Sequence, residues 1–327
     1  MWNGLIHLLP LVAVLYGSSA SAAPAFVEAE LQAAGPAGAL KGTMLAPEGP
    51  KGAVILIIPG SGPTNRDGNS PLGVKASTYK LLAEGLAAKG IATVRIDKRG
   101  MFGSAGAIAD ANAVTIDDYA ADVQAWVKVI RAKTGASCVW LLGHSEGGLV
   151  ALASTRSAGD VCGLILIAAA GQPLGEVLRA QLKANPANAP VLGQALAAIS
   201  ALEAGHRVDV SAMHPALLPL FSPKIQDFLI SMFALDPARL IADWKMPVLI
   251  MQGERDIQVS VSDAERLKQA ASAAKLVLLP DTNHVLKTVT SPNRVANMAT
   301  YADPSLPLAP GVIEGIAGFV AAKPDVH

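Results

Sequence analysis

Val139-Trp140-Leu141-Leu142-Gly143-His144-Ser145-Glu146-Gly147-Gly148 is an apolar run that ends at a glycine-flanked serine and leads into a helix-like stretch. A short apolar run bounded by glycine reads as a buried strand. G-x-S-x-G at its end is the pattern of a sharp strand-to-helix turn that holds a serine hydroxyl strained and exposed. The flanking glycines let the chain turn that tightly. A hydroxyl presented in this way serves attack on an acyl carbon, as in ester or amide hydrolysis.

Outward from this turn, buried strands alternate with helical periodicity. Residues 53–58 are continuously apolar and end at Pro59-Gly60; residues 79–89 place Leu82, Ala83 and Leu86 on one side of a helix; residues 91–97 read as the next strand. Residues 115–129 carry Tyr119, Val123, Trp126 and Val127 at helical spacing, with Asp117 or Asp118 as the expected cap. After the elbow come a helix at 148–155 and a strand at 164–169. Residues 25–32 and 38–44 resemble edge strands. This alternation predicts an α/β protein with a three-layer arrangement around a mostly parallel sheet.

The rhythm breaks between residue 171 and about residue 243. Helical stretches at 175–184, 195–203 and 225–235 are separated by proline-containing turns, and no strand is expected. Such a segment reads as a helical cap inserted after the sixth strand, of the kind that lies over an active site. Met213, Leu217, Leu218, Phe221, Phe228, Met232 and Phe233 are candidates for its pocket lining, and helix-core packing explains them equally well. The core resumes with a strand at 246–252, a helix at 262–271, a strand at 275–279 and a final helix at 312–322. The expected division is therefore 1–22 signal peptide, 23–171 first part of the core, 172–243 cap and 244–327 second part of the core.

The leader is read from an apolar stretch at residues 5–16 followed by small residues and an A-x-A site before Ala23, with no Lys or Arg in its n-region. It is too short for a transmembrane anchor, which needs about 20 apolar residues. The expectation is an exported protein, periplasmic or secreted. In such a compartment disulfides persist. Cys138 and Cys162 each precede an apolar strand, so neighbouring parallel strands would bring them within bridging range; two buried thiols are the alternative. Both sit at the wrong end of their strands to be catalytic. A hydrophobic content of 51%, with 16% charged residues and a formal net charge of +0, supports a large core and gives no reason to expect a nucleic-acid partner.

A serine hydroxyl needs a base, and the base an orienting acid. Asp256 lies in the turn beyond the strand at 246–252, and His284 follows the next strand in Pro280-Asp281-Thr282-Asn283-His284. Glu254 and Asp281 compete with Asp256 for the acid's place. His144 competes with His284 by sequence proximity, but its expected role is packing against neighbouring loops. The developing oxyanion needs two donors: the backbone N–H of Glu146, and that of Ser61 in Pro59-Gly60-Ser61-Gly62-Pro63, with Gly60 in reserve. The Glu146 carboxylate is expected to turn away and pair with Arg99 or Arg66. Asn65-Arg66-Asp67-Gly68 and Asp97-Lys98-Arg99-Gly100 read as loop-to-loop bonding that stiffens the pocket, or as a clamp on a charged substrate.

With PGSGPTNRDG at 59–68, DKRGMFGS at 97–104, GHSEGG at 143–148, GERD at 253–256 and Asn283-His284 in this order, the chain resembles the α/β-hydrolase superfamily, in its serine esterase and serine aminopeptidase-like group. Many relatives carry His-Gly where this chain has Pro59-Gly60. The resemblance implies a triad of Ser145, Asp256 and His284, no cofactor, a mobile helical cap, and a small-molecule acyl ester as substrate. The expected activity is that of a serine carboxylesterase acting on short to medium acyl chains through an acyl-enzyme. The alternatives are a peptidase or acylaminoacyl-peptidase using the same triad, and a catalytically silent binding module. Carboxylate-nucleophile chemistry on haloalkanes or epoxides is disfavoured by the serine at the elbow.

Overall fold

The apolar runs assemble into one sheet. Its strands are β1 (Phe26–Ala34), β2 (Ala39–Pro47), β3 (Val54–Ile58), β4 (Ala92–Ile96), β5 (Val139–His144), β6 (Val161–Ile167), β7 (Val248–Gly253) and β8 (Lys275–Leu279), in the order β1-β2-β4-β3-β5-β6-β7-β8. β2 pairs antiparallel with β1 and β4, and the remaining neighbours are parallel. The computed structural model describes residues 26–48, 52–157 and 159–322. The expected leader lies outside the described residues.

The central strands are apolar on both faces because both faces are covered. Along β3, Leu56 and Ile58 enter one core while Ile55 and Ile57 enter the other; Leu164 and Leu166 against Ile165 and Ile167 repeat the division on β6. The helices are α1 (Thr78–Ala87), α2 (Ile116–Thr134), α3 (Glu146–Ser154), α4 (Leu174–Ala184), α5 (Leu192–Glu203), α6 (Leu218–Phe221), α7 (Gln226–Phe233), α8 (Pro237–Ala242), α9 (Val261–Ala270), α10 (Arg294–Ala299) and α11 (Val312–Ala321). α1 and α11 bury Leu82, Leu86, Ile316 and Val320 on one face. α2, α3 and α9 bury Trp126, Val150 and Leu267 on the other, and the core there continues into Phe221, Leu229 and Met232 of the helices between β6 and β7. Helices α4 to α8 all lie in that interval, and residues 168–247 contain no strand.

Two local readings change. The cap of α2 is Thr115, whose side chain accepts from the Asp118 N–H while the Asp118 carboxylate accepts from the Thr115 N–H. Asp118 therefore closes a capping box at the third helical position instead of capping the helix itself. Helix α10 has no counterpart in the sequence reading, because Val295 and Met298 are 77% and 45% exposed and leave no apolar stripe to detect.

Cys138 and Cys162 form a disulfide across the starting ends of the parallel neighbours β5 and β6, with a Cα–Cα separation of 5.2 Å. The bridge closes a loop of 24 residues in sequence separation, which in the chain-entropy picture is worth about 3 kcal/mol. A Cys138→Ser/Cys162→Ser variant is expected to unfold at lower urea by that margin. Its kcat/KM should be unchanged at 25 °C, because the bridge lies at the end of β5 away from Ser145. Loss of activity in the folded variant would contradict this separation.

Candidate active site

Ser145 joins β5 to α3 with φ 55° and ψ −122°, a conformation non-glycine residues rarely adopt. Holding it there costs about 1–3 kcal/mol, which the packing around the turn must offset. Gly143 and Gly147 allow that packing. A Cβ on Gly143 would lie 2.3 Å from the Gly147 carbonyl oxygen, and one on Gly147 2.3 Å from that of Ile58. Any side chain at either place would push α3 off the strands. The Ser145 N–H donates to Ile167 O at 2.9 Å, which ties the elbow to β6.

Beyond the ends of β7 and β8, two side chains meet. His284 Nδ1 lies 2.7 Å from Asp256 Oδ2, with Asp256 fully buried and His284 nearly so. The other carboxylate oxygen, Oδ1, accepts from the backbone N–H groups of Gln258 at 2.7 Å and Val259 at 3.0 Å. Burial by itself would raise the Asp256 pKa, but the His284 charge and hydrogen bond, with the two N–H groups, outweigh it and hold the carboxyl below its ordinary 3.8. An ionised Asp256 has no proton to offer, so Nδ1 of His284 carries one and Nε2 is left as the base. Ser145 and His284 line one cavity of about 140 Å³. The Ser145–His284 hydrogen bond itself is not closed, as is common before substrate binds. Of the competing acids, Asp281 pairs with Arg255 at 3.2 Å and Glu254 is exposed.

His144 is occupied elsewhere. The Gly60 N–H donates to Tyr79 Oη at 2.9 Å, Tyr79 Oη lies 2.9 Å from His144 Nδ1, and His144 Nε2 lies 2.8 Å from the His284 carbonyl oxygen. A neutral imidazole protonated on Nε2 satisfies all three contacts, so the chain of bonds links the loop after β3, the elbow and the His284 backbone. Burial, and next the nearby His284, push His144 from 6.5 down to about 3. Burial likewise pushes the Tyr79 phenol up. Sequence reading had Tyr79 as a helix residue and nothing more.

This buried imidazole has a pH consequence. Between pH 6.5 and about 3 the unfolded chain binds a proton at His144 that the folded chain refuses. Its contribution to stability is fully present above 6.5 and declines on acidification by up to about 1.4 kcal/mol per pH unit. Urea unfolding at pH 7.5 and pH 5 should show this loss, and a His144→Asn variant, less stable at neutral pH, should show a shallower one. Equal pH slopes would contradict it.

Around the anticipated oxyanion site the structure corrects one pairing. The Glu146 carboxylate meets Lys98 Nζ at 3.2 Å, not Arg99 or Arg66. Arg99 turns to α2, where it bonds both oxygens of Asp122 at 2.7 Å and reaches Asp118 at 2.9 Å. Arg66 is held by Asp97 at 2.8 Å and Glu30 at 2.9 Å. These arginines therefore bind loop to loop or loop to helix. The Ser61 N–H finds no acceptor among the described residues, and the Glu146 N–H lies in the first turn of α3, where no intrahelical partner exists. Gly60 N–H, the reserve donor, is already committed to Tyr79. A Cβ built on Gly60 would lie 3.3 Å from Ser145 Cβ, so this loop runs directly past the serine.

Toward the helices α4 to α8, a second cavity of about 260 Å³ opens from Ser61, Ser145 and Glu146. Of the anticipated lining residues, Met232 and Phe233 line it. Leu217 and Phe221 are instead buried in the core, Phe228 packs edge-on against Tyr119, and Leu218 is exposed. Leu174, Val177 and Leu178 of α4, which are absent from the anticipated lining, complete the apolar wall. Gln258 borders both cavities and donates to Tyr301 Oη at 3.1 Å.

Among the described residues no helix is long and apolar enough to cross a membrane, and no cluster of His, Cys, Asp or Glu could hold a metal ion.

The profile of the family described as Hydrolase_4, serine aminopeptidase S33, matches residues 72–287. Among individual proteins, the esterase EstD of Thermotoga maritima is 29% identical over 243 residues, 73% of this chain. The chain spans about half of that relative's length, 55%. Solved structures with the same fold include the esterase Pf2001 of Pyrococcus furiosus, with a TM-score of 0.55, 13% identity and coverage of 91% of this chain and 93% of that one. Est1E of Butyrivibrio proteoclasticus has a TM-score of 0.54 at 16% identity, over 89% of this chain and 99% of that one. At such identities these structures establish the fold alone.

Proposed function

The chain belongs to the serine aminopeptidase S33 family of α/β-hydrolases, and from that premise we propose that it is a serine carboxylesterase acting on short to medium acyl esters through an acyl-enzyme intermediate. The observation that carries this reading is the Asp256–His284 hydrogen bond behind an imidazole that lines one cavity with Ser145. In the proposed mechanism His284 Nε2 takes the proton of Ser145 Oγ as the hydroxyl attacks the ester carbonyl, and Asp256 holds the imidazole in the required tautomer. The N–H groups of Ser61 and Glu146 receive the oxyanion. His284 then passes its proton to the leaving alcohol, and water attacks the acyl-enzyme with His284 again as base.

The apolar cavity walled by Leu174, Val177, Leu178, Leu229 and Met232 favours an aliphatic acyl group. It also counts against aminopeptidase action. The one acidic side chain that lines it, Glu146, is paired with Lys98, so the cavity lining offers no free carboxylate to hold an amine. Helices α4 to α8 would act as the cap over this cavity. Export is supported by the leader pattern and by the Cys138–Cys162 bridge, which suits a periplasmic or extracellular compartment.

A panel of p-nitrophenyl esters against matching aminoacyl and acylaminoacyl p-nitroanilides tests the reading. Turnover of the esters with negligible amide turnover is expected. Persistent amide hydrolysis without ester hydrolysis would replace it with the peptidase.

A further inference from the structure

Lys98 stands one residue past Asp97 at the carboxyl end of β4, with its ammonium buried beneath the loop that follows β3. Its Nζ donates to the Gly60 carbonyl oxygen at 2.7 Å and to Glu146 Oε1 at 3.2 Å, and it sits 5.3 Å from the centre of the Tyr119 ring. The side chains of Lys98 and Glu146 are 5% and 3% exposed. Of its three protons, two go to a carbonyl and a carboxylate, and Lys98 lines neither cavity at Ser145, so it is not placed to touch a substrate.

The Gly60 carbonyl belongs to the same peptide unit as the Ser61 N–H. That unit is planar and trans, so its C=O and N–H point in opposite directions. A cation that draws the carbonyl to one side aims the N–H to the other. It also polarises the peptide and makes the N–H a stronger donor. On the other side of Gly60, its own N–H is held by Tyr79, so both peptide units flanking this residue are fixed. The carboxylate partner of Lys98 sits on Glu146, whose N–H is the second anticipated donor. One ammonium thus touches the peptide unit that carries the Ser61 N–H and the side chain of Glu146.

We propose that Lys98 is a positioning residue that sets the oxyanion hole: anchored between the Gly60 carbonyl and the Glu146 carboxylate, it directs the Ser61 N–H at the reacting carbonyl and fixes its distance from the Glu146 N–H. The proposal rests on the hydrolase reading above. Stability gives no comparable reason for the pair, since a buried ion pair is often no more stabilising than apolar residues of the same size. Lys98 acts through the backbone, and its loss should weaken transition-state binding more than substrate binding.

The test compares wild type with Lys98→Met/Glu146→Gln, which removes both charges and leaves neither buried alone, with Lys98→Gln/Glu146→Gln, which restores a neutral N–H donor for Gly60 O, and with Glu146→Gln, which keeps the cation. Thermal melts establish folding. kcat and KM are measured on p-nitrophenyl butyrate, together with the inhibition constant of an alkyl trifluoromethyl ketone, whose tetrahedral adduct places an oxyanion in the hole. For the methionine variant kcat should fall on the order of 10- to 100-fold, less than deletion of a whole donor would cost. KM should stay within about twofold and ketone affinity should fall in step with kcat/KM. The glutamine pair should recover part of the loss, and Glu146→Gln should lose least; if the methionine variant does not fold, these two carry the comparison. A folded variant with wild-type kcat and ketone affinity, a loss confined to KM, or a Glu146→Gln loss as large as that of the double variants would overturn the proposal. Wild type that neither turns over esters nor binds the ketone would instead overturn the hydrolase reading and this proposal with it.

Discussion

Ser145→Ala is expected to lower kcat on p-nitrophenyl esters on the order of 10⁶-fold, with KM and the melting temperature little changed. The size of the effect follows from what is lost. Without the hydroxyl there is no acyl-enzyme, and His284 has no proton to take from the protein. The residual rate would come from water in a site that still binds the ester and still offers two N–H groups to the oxyanion. Stability should hold because alanine keeps the Cβ and inherits the backbone at φ 55°, so the strain is neither relieved nor increased. The measurement is steady-state kinetics on purified wild type and variant, with a melt of each. A rate within tenfold of wild type would remove Ser145 from the chemistry.

Asp256→Asn is expected to cost about 10⁴-fold in kcat, through the tautomer of His284. The reason lies in which oxygen does what. Oδ1 already accepts from Gln258 and Val259, so an asparagine keeps its carbonyl oxygen there and turns its amide N–H₂ toward His284 Nδ1. Nδ1 must then accept, the proton moves to Nε2, and the imidazole presents a donor where a base is needed. Single-turnover acylation with p-nitrophenyl acetate checks this, because the fault lies in proton abstraction and should appear in the first chemical step. A variant that acylates at the wild-type rate would show that the Asp256–His284 bond has no catalytic role.

Much of the fold was legible because the signals are local. The runs at 53–58, 139–142 and 275–279 are short, apolar and bounded by turn residues, and each is a strand at nearly the expected place. The residues of the candidate triad were proposed for a related reason: each stands within a few residues of the end of a strand, and the carboxyl ends of parallel strands share one edge of the sheet.

What was not legible depends on the direction a side chain takes after its strand ends. Lys98 and Arg99 are adjacent cations in one loop, yet one goes under Gly60 to Glu146 and the other to Asp118 and Asp122 on α2. Composition and spacing cannot tell them apart. Tyr79 was hidden for the same reason, since a tyrosine on the apolar side of a helix looks like core until its hydroxyl is found between Gly60 and His144. The apolar wall from α4 was missed because amphipathic helices between β6 and β7 bury one side against each other and turn another to the cavity, and periodicity does not say which.

The most direct test of the claim that Ser145, His284 and Asp256 work as one unit is covalent labelling with a fluorophosphonate probe, with the modified peptide mapped by mass spectrometry. One probe per chain on Ser145, with the labelling rate falling by orders of magnitude in His284→Ala and Asp256→Asn, is the predicted result. A label on another residue, or undiminished labelling of Ser145 after His284 is removed, would contradict it.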